Sequence, residues 1–545
     1  MNYGFKALLF TLIVILIVQC NLIDSNVDEN EPTLFNTETL LNNIQLSTRN
    51  FYTQASELGG ELTRMRYMFG DTYGSAYQPQ SFNSIYENAY SQIFLDISNL
   101  RDMAELQDLR HHINIANILQ AYTMIGLADV FGDVPFTETI LGLDRLSPEL
   151  DSADFIYDEA IALLTETSER LTNDLTGEFV NTDLYYGSLS NPESQKEAWA
   201  RAANTIKLKA YLNTGNANAF NALVNSGDII VENSQNFTFE YSASTQSAES
   251  RHPLFANNYV ALANDYMANN YMNMLLNDKS DEFSRDPRIR YYFYRQFTDD
   301  PDPQLKVCVT TNEPSHFSSD DPYCHLDDGY WGRDHLISDG IPPDRGFRTV
   351  PGVYPAGGVY DVNQAEPVSQ NMGFRGAGFD PILTAGFTHF MIAEAELTLN
   401  NNPDAARNHL EIALQKSFEL VRDFSAGQAE GQSGELTPEK IDQYVTYVLN
   451  RYDSSNDDRL RTIAKEYYLA LWPNGYEAYN LMRRTGYPNR EDNLQPARTS
   501  SPGNWYRTFL YPAVLVNRNA NATQKPTTLT RTFWDVRGED DEFNF

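Results

Sequence analysis

The sequence predicts a mainly α-helical chain, built from helical hairpins in one large domain with a loop-rich insertion and minor short strands. Three observations carry the reading. Between His111 and Val130, apolar residues recur at Ile115, Ile118, Leu119, Tyr122 and Ile125, the spacing of one helix face. Phe387–Leu399 and Ala405–Val421 are two helical segments separated by Asn400-Asn401-Asn402-Pro403-Asp404. The proline of that turn is placed to open a helix, so the pair reads as a hairpin. From about Asn233 to Pro381 the period fails and Pro, Gly, Asp and aromatic residues crowd together, an irregularity that often carries function in helical proteins.

The elements follow in chain order. Lys6 precedes an apolar run from Ala7 to Val18, then Gln19 and Cys20, so residues 1–19 read as a secretory signal peptide. The run is shorter than the roughly 20 residues of a bilayer-spanning helix, and a signal anchor is the alternative. Cys20 resembles the acylated cysteine of bacterial lipoproteins, although Gln19 stands where Gly, Ala or Ser is usual. Acyl chains there would anchor the protein, each buried CH₂ contributing roughly 0.8 kcal/mol. Residues 20–32 are polar, acidic and aperiodic, the character of a flexible tether, and residues 33–545 form the folded domain.

Within that domain, Ala153–Leu171 and Glu197–Leu212 repeat the helical spacing, and a further period is discernible near Asn258–Leu276. Leu460–Met482, interrupted by Pro473-Asn474-Gly475, reads as one more helix pair. Short strands are expected at Phe237–Tyr241 and Arg290–Tyr294. Ala405, Ala406 and Ala413 put small residues at the hairpin contact, which suggests tetratricopeptide-like packing without a strict 34-residue period.

The formal net charge of −34 argues against nucleic acid as a partner and against basic docking on an anionic leaflet. Of three cysteines, Cys308 and Cys324 remain after Cys20, an even pair in a chain bound for an oxidising compartment. A disulfide between them closes a polar loop of about fifteen residues, worth roughly 3 kcal/mol of chain entropy; two free thiols are the alternative.

Several phrases resemble the SusD/RagB family of outer-membrane nutrient-binding lipoproteins from Bacteroidetes, in its SusD-like branch. They are Leu127-Ala128-Asp129-Val130-Phe131-Gly132-Asp133-Val134-Pro135-Phe136, Lys196-Glu197-Ala198-Trp199 with Ala203–Lys209, Asp286-Pro287-Arg288, and Gly332-Arg333-Asp334-His335. Gly340-Ile341-Pro342-Pro343-Asp344, Ala393-Glu394-Ala395-Glu396, Leu471–Tyr479 with Arg483–Pro488, and Tyr511-Pro512 with Asn517 complete the series, all in chain order. The resemblance implies a helical scaffold docked on a TonB-dependent, SusC-like outer-membrane transporter, with a variable loop face that meets an oligosaccharide or, in some members, a peptide. It places the chain at the cell surface, lipid-anchored in the outer membrane.

A sugar site needs aromatic platforms flanked by polar side chains. Two stretches offer them, Phe69–Asn83 and Tyr330–His335. From these, Tyr73, Tyr77, Phe82, Tyr330, Trp331, Arg333 and His335 are the ligand-binding candidates, with Tyr73, Tyr77 and Trp331 the best platforms. The competing reading is that they pin loops onto the core, and that Gly332-Arg333-Asp334-His335 is an internal ion pair and turn.

No catalysis is expected. Gly-x-Ser-x-Gly, P-loop and His-Glu-x-x-His motifs are absent from the sequence, and among 74 acidic residues a chance carboxylate pair means little. His111 and His112 diverge on a helix; Cys308, His316, Cys324 and His325 lack a CxxC pair, so no zinc is assigned. Asp299-Asp300-Pro301-Asp302 and Ser319-Asp320-Asp321 lack EF-hand spacing. No cofactor is expected. Glycan capture for uptake is the leading reading; the same architecture serving peptides, or an extracytoplasmic hydrolase or scaffold, are the alternatives.

Overall fold

The computed structural model describes residues 36–139, 147–174, 178–245, 249–261, 265–277, 285–304, 306–338, 348–454 and 456–537. The signal peptide, Cys20, the tether and Gly340–Asp344 lie outside the described residues.

The protein is mainly helical. α1 (Thr37–Leu62) opens on Asn36, whose Oδ1 accepts the Thr39 backbone N–H at 2.8 Å and so satisfies one of the orphan donors of the first turn. Three consecutive helical segments, Asn83–Asn88, a π-helical Ala89–Phe94 and α2 (Leu95–Leu106), lead to α3 (Arg110–Phe131). α4 (Ala153–Asn173) packs on α3, and α5 (Pro192–Asn213) packs on α4. α6 (Ala217–Ser226) ends on Gly227 in the left-handed conformation. A hairpin of α7 (Ala385–Thr398) and α8 (Pro403–Ala429) follows the irregular middle, as the Asn-rich turn predicts, with the Asn402 side chain capping α8 at Ala405. α9 (Pro438–Ser454), α10 (Arg459–Ala470) and α11 (Gly475–Thr485) complete the frame.

Two small antiparallel sheets interrupt the middle. β1 (Phe237–Glu240) pairs with β4 (Phe379–Leu383), Phe239 opposite Asp380; β2 (Phe293–Tyr294) pairs with β3 (Val350–Pro351). The expected strand at 290–294 is thus only two residues long. Its first part is a helical turn, Ile289–Tyr292, because Tyr291 and Tyr292 both donate their N–H to the Arg288 carbonyl. The helix read near Asn258–Leu276 is also shorter, reduced to a π-turn at Ala256–Val260 and a helix at Asn269–Leu276.

Several of the phrases singled out in the sequence are buried networks. Asp129, fully buried, accepts hydrogen bonds from the hydroxyls of Tyr157 and Tyr476, from Asn480 Nδ2 at 2.9 Å and from Trp534 Nε1 at 2.9 Å. Lys209 pairs with Glu477 at 2.9 Å, and Arg484 with Glu394 at 2.5 Å. Arg288 joins Asp286 at 2.7 Å and Glu466 at 3.0 Å, with Tyr444 between the carboxylates. Trp199 Nε1 donates to Asp183 at 2.8 Å. Buried charges persist only when paired and hydrogen-bonded, so these residues constrain one another across the frame.

α11 meets α1 at unusually close range. Asn474 caps α11 through Glu477 N–H at 3.0 Å and reaches the Pro381 and Ile382 carbonyls at 3.1 and 3.2 Å. A β-carbon on Gly475 would lie 2.1 Å from the Ser56 carbonyl oxygen and 2.2 Å from Gly60 N, so only glycine lets the two backbones touch.

Candidate functional site

The structure corrects the choice of platforms. Tyr73, Tyr77, Phe82, Tyr330, Trp331, Arg333 and His335 are all buried, none above 6 % exposed. The cover comes from far along the chain. Tyr73 N–H donates to the Pro502 carbonyl at 2.9 Å, Tyr506 OH donates to the Tyr77 carbonyl at 3.1 Å, and Phe82 stacks on Phe509 with ring centroids 4.8 Å apart. Trp331 lies flat against Phe297 at 5.4 Å and gives its Nε1–H to the Asp299 carbonyl. Tyr330 sits under the Arg295 guanidinium. His335 packs on Tyr73, and burial followed by the Arg64 charge holds its pKa well below the ordinary value, so it carries no charge near neutrality. These side chains pin loops to the core, and Asp334 does the same by accepting from Asn269 at 2.7 Å, Gln495 at 2.9 Å and the Cys324 N–H at 3.0 Å.

The pinned loops nonetheless form a site, at their outer edge. Three segments distant in sequence converge there: 66–75 after α1, 297–338, and 490–504 after α11. Leu336 N–H donates to the Met68 carbonyl at 3.2 Å, Arg498 N–H to the His335 carbonyl at 2.8 Å, and Tyr67 OH to the Ile337 carbonyl. Cys308 and Cys324 form a disulfide, which ties the short helical turn Val307–Thr310 to the pinned strip. Asp321 holds the other end through Arg490, whose two guanidinium nitrogens donate at 2.7 and 2.8 Å.

Between these segments lies a cavity of about 180 Å³ lined by Lys306, Val307, Cys308, Thr311, Arg333, Ile337 and Arg498. The Arg333 guanidinium carbon lies over the Tyr266 ring, 4.6 Å from its centroid, a cation–π contact. Lys306 Nζ donates to the Gly332 carbonyl at 2.5 Å. Arg498 lies over Tyr323 at 4.4 Å and donates to its hydroxyl at 2.8 Å, while Tyr323 also shares a hydrogen bond with Thr311. Two large apolar side chains of these segments are exposed: Val307, in the cavity lining, is 52 % exposed, and Phe69, next in sequence to Met68, is 58 % exposed. A flat exposed ring suits a sugar's C–H face, and charged and hydroxylated side chains suit its polar groups.

The family described as "Starch-binding associating with outer membrane" (SusD-like) matches residues 29–308, and that described as "Susd and RagB outer membrane lipoprotein" matches residues 377–535. The chain belongs to the SusD/RagB family. A SusD/RagB family protein from Bacteroides thetaiotaomicron is similar in structure, with a TM-score of 0.65 at 14% identity over 92% of this chain and 100% of that one. A SusD homologue from Bacteroides uniformis gives 0.62 at 18% identity over 93% and 100%. A chitin-binding SusD homologue from Flavobacterium johnsoniae gives 0.60 at 17% identity over 92% and 98%. At these identities the likeness concerns the fold: the tetratricopeptide-like helical frame of SusD proteins. Comparison with curated proteins returns no match in sequence. The family descriptions are of outer-membrane lipoproteins, and among the described residues of this SusD-like chain no helix is long and apolar enough to cross a membrane.

Of the ligand-binding candidates read from sequence, this SusD-like chain brings Arg333 to the described lining of the cavity, beside Cys308 of the disulfide. Phe69 lies in the first stretch that the sequence singles out, yet Tyr73 and Tyr77 look equally suitable until their cover is known. Lys306, Thr311, Ile337, Tyr323 and Arg498 carry no motif; the signal that points to them is proximity to the cysteine pair, whose polar loop must be held for some purpose. A larger cleft of about 570 Å³ lies between the start of α3 and the end of α4. It is lined by charges of both signs, Arg170 pairing with Glu166, and among its described lining residues there is no Phe, Tyr or Trp to serve a sugar as a platform.

Proposed function

We propose that this SusD-like chain is a surface lipoprotein, held by an acylated Cys20, that captures oligosaccharides and delivers them to a TonB-dependent outer-membrane transporter without catalysing their cleavage. The helical frame would dock on the transporter, and the convergent loops 66–75, 297–338 and 490–504 would meet the ligand. The observation that supports the reading most is the cavity at the edge of those loops, where exposed Val307 lies beside Lys306, Arg333, Thr311 and Arg498, with exposed Phe69 on the converging 66–75 segment. A chitin-binding relative with the same frame is consistent with a glycan as cargo.

Calorimetric titration of polysaccharide fragments into the soluble body, with Phe69→Ala and Arg498→Gln as variants, tests the site. The expected result is glycan binding that weakens in both. Full affinity in both variants would move the ligand elsewhere, binding of peptides in place of glycans would change its class, and turnover of any polymer would overturn the non-enzyme assignment. Loss of membrane partitioning in Cys20→Ala is the matching test of the anchor.

A further inference from the structure

We infer that His389 and His409 form a binding site for a divalent transition-metal ion of the Zn²⁺, Ni²⁺ and Cu²⁺ group, which would bolt helix α7 to helix α8. The inference is independent of the glycan-capture reading.

Geometry is the first argument. His389 stands in the second turn of α7 and His409 in the second turn of α8, and they meet across the hairpin with the two Nδ1 atoms 3.0 Å apart. The ring centroids are 5.3 Å apart and the planes lie within 23°. That separation is about the nitrogen gap plus one ring radius at each end, so the rings meet nitrogen to nitrogen and not face to face. Two imidazole nitrogens in hydrogen-bond contact share one proton, so at least one of them presents a lone pair. Two nitrogen ligands at roughly 2.0–2.1 Å from one ion stand roughly 2.9 Å apart at a right angle and roughly 3.4 Å apart at the tetrahedral angle. The observed gap lies inside that interval. Loading the ion needs the half-buried His409 ring to pivot until both lone pairs converge, and the shared proton to pass through solvent to His409 Nε2.

Orientation is the second. His389 is buried, and its ring also hydrogen-bonds the Val231 backbone. With Nδ1 turned to His409, that bond falls to Nε2, which places the His389 proton on Nε2 and the lone pair on Nδ1. A backbone carbonyl on the far ring nitrogen is a common orienting partner of a metal-binding histidine.

Charge and ligand type are the third. Glu232 acts on His389 and Glu396 on His409 in the sense that favours a cation, and Lys416, which opposes them, is held by Glu232 at 2.5 Å. The chain's net charge of −34 draws cations at long range. Among the described residues no third His, Cys, Asp or Glu completes a metal cluster, so water would fill the remaining positions. Imidazole suits zinc, nickel and copper, whereas calcium and magnesium take oxygen ligands, and this sets the class of ion. An ion held only by the folded hairpin stabilises it by mass action.

The experiment titrates ZnCl₂ calorimetrically into the chelator-treated mature chain, with excess Ca²⁺ present to occupy acidic loops. The expected result is one zinc ion per chain, a raised Tm, and slower hydrogen exchange in peptides covering α7 and α8. His389→Gln and His409→Gln should each weaken zinc by about tenfold or more, since loss of even an outer partner of a metal ligand costs that much. His409→Gln, at the half-buried position, should keep the parental circular dichroism and lose the zinc-dependent slowing of exchange. Parental zinc affinity in His409→Gln, slowing confined to other segments, or no zinc bound overturns the inference and leaves the two rings as a hydrogen bond between helices. If a variant fails to fold, the exchange pattern of the parent with and without zinc decides alone.

Discussion

Opening the Cys308–Cys324 bridge should loosen the cavity wall before it affects the frame. The bridge joins residues 16 apart, and the entropy of closing a loop of that length is about 10 cal/mol/K, or about 3 kcal/mol at 25 °C. Whether this is lost globally or locally depends on what else holds the loop. Its C-terminal end is well anchored: Asp321 by Arg490, the Pro322 carbonyl by Gln495 at 2.6 Å, and Cys324 N–H by Asp334. The N-terminal end, Val307–Thr311, depends on the Thr311–Tyr323 hydroxyl contact and its own turn. Local opening of 307–316 therefore becomes easier by most of the 3 kcal/mol, a fall of about 100-fold or more in amide protection. Global stability should drop by much less than that.

Hydrogen exchange on Cys308→Ser/Cys324→Ser, followed by mass spectrometry, reads both quantities at once. The expected pattern is faster exchange in peptides covering 307–316, near-parental exchange in α7, α8 and α10, and weaker glycan binding. Parental protection across 307–316 would refute the reasoning, since the turn would then be held by its contacts alone. An equal loss of protection throughout the helices would refute it differently, by showing that the loop and frame open together.

Three further outcomes follow from the frame. Gly475→Ala forces a β-carbon to within 2.1–2.4 Å of the α1 backbone, so the denaturant midpoint should show a loss at or beyond the roughly 1–3 kcal/mol of ordinary overpacking. Asp129→Ala leaves four buried donors without their shared acceptor and should cost roughly 3–5 kcal/mol in the same assay, with Asp129→Asn milder. His112 lies between Glu178 at 2.8 Å and Glu38 at 3.0 Å; burial alone would lower its pKa, but hydrogen bonds and charge from the two carboxylates raise it overall. Its contribution is fully present below the unfolded histidine value of about 6.5 and fades as pH rises through the raised folded value. Glu178, its burial outweighed by hydrogen bonds from His112 and the α3 N-terminus, titrates below the usual carboxylate range and adds stability that fades as pH falls. The Tm difference between parent and His112→Gln should therefore be widest between about pH 4.3 and 6.5 and shrink on either side; a flat difference would show that the ion pair contributes nothing.

The frame was largely legible because its period is set by apolar side chains facing one core. α3, α4, α5 and the α7–α8 hairpin stand where the spacing of Ile, Leu and Ala puts them. α1 is less visible, since its buried face includes Gln45, Ser47, Thr48, Ser56, Gly59 and Gly60, which read as polar or helix-breaking until the close approach of Gly475 is known. Residues 290–292 show the opposite failure. Two β-formers, Tyr291 and Tyr292, adopt a helical turn because the Asp286–Arg288–Glu466 network fixes the start of the segment. The site was the least legible part. Exposure of an aromatic ring depends on what the rest of the chain lays over it: Pro502 meets Tyr73, and Tyr506 and Phe509 cover Tyr77, all more than 400 residues further along the chain.

That difference has a chemical consequence. The motifs that recur along the chain are charges and amides satisfied inside the frame, and none can change alone without orphaning a buried partner. Lys306 and Arg498 have no part in the Asp129, Asp286 or Glu394 networks: the first holds a loop carbonyl and the second a tyrosine hydroxyl at the rim. Arg498→Gln should therefore shift unfolding free energy by no more than about 0.5–1 kcal/mol, against several for Asp129→Ala, while altering ligand affinity strongly. If Arg498→Gln instead unfolds the chain as readily as Asp129→Ala, the cavity is part of the scaffold, and its positive charge serves the fold and not a ligand.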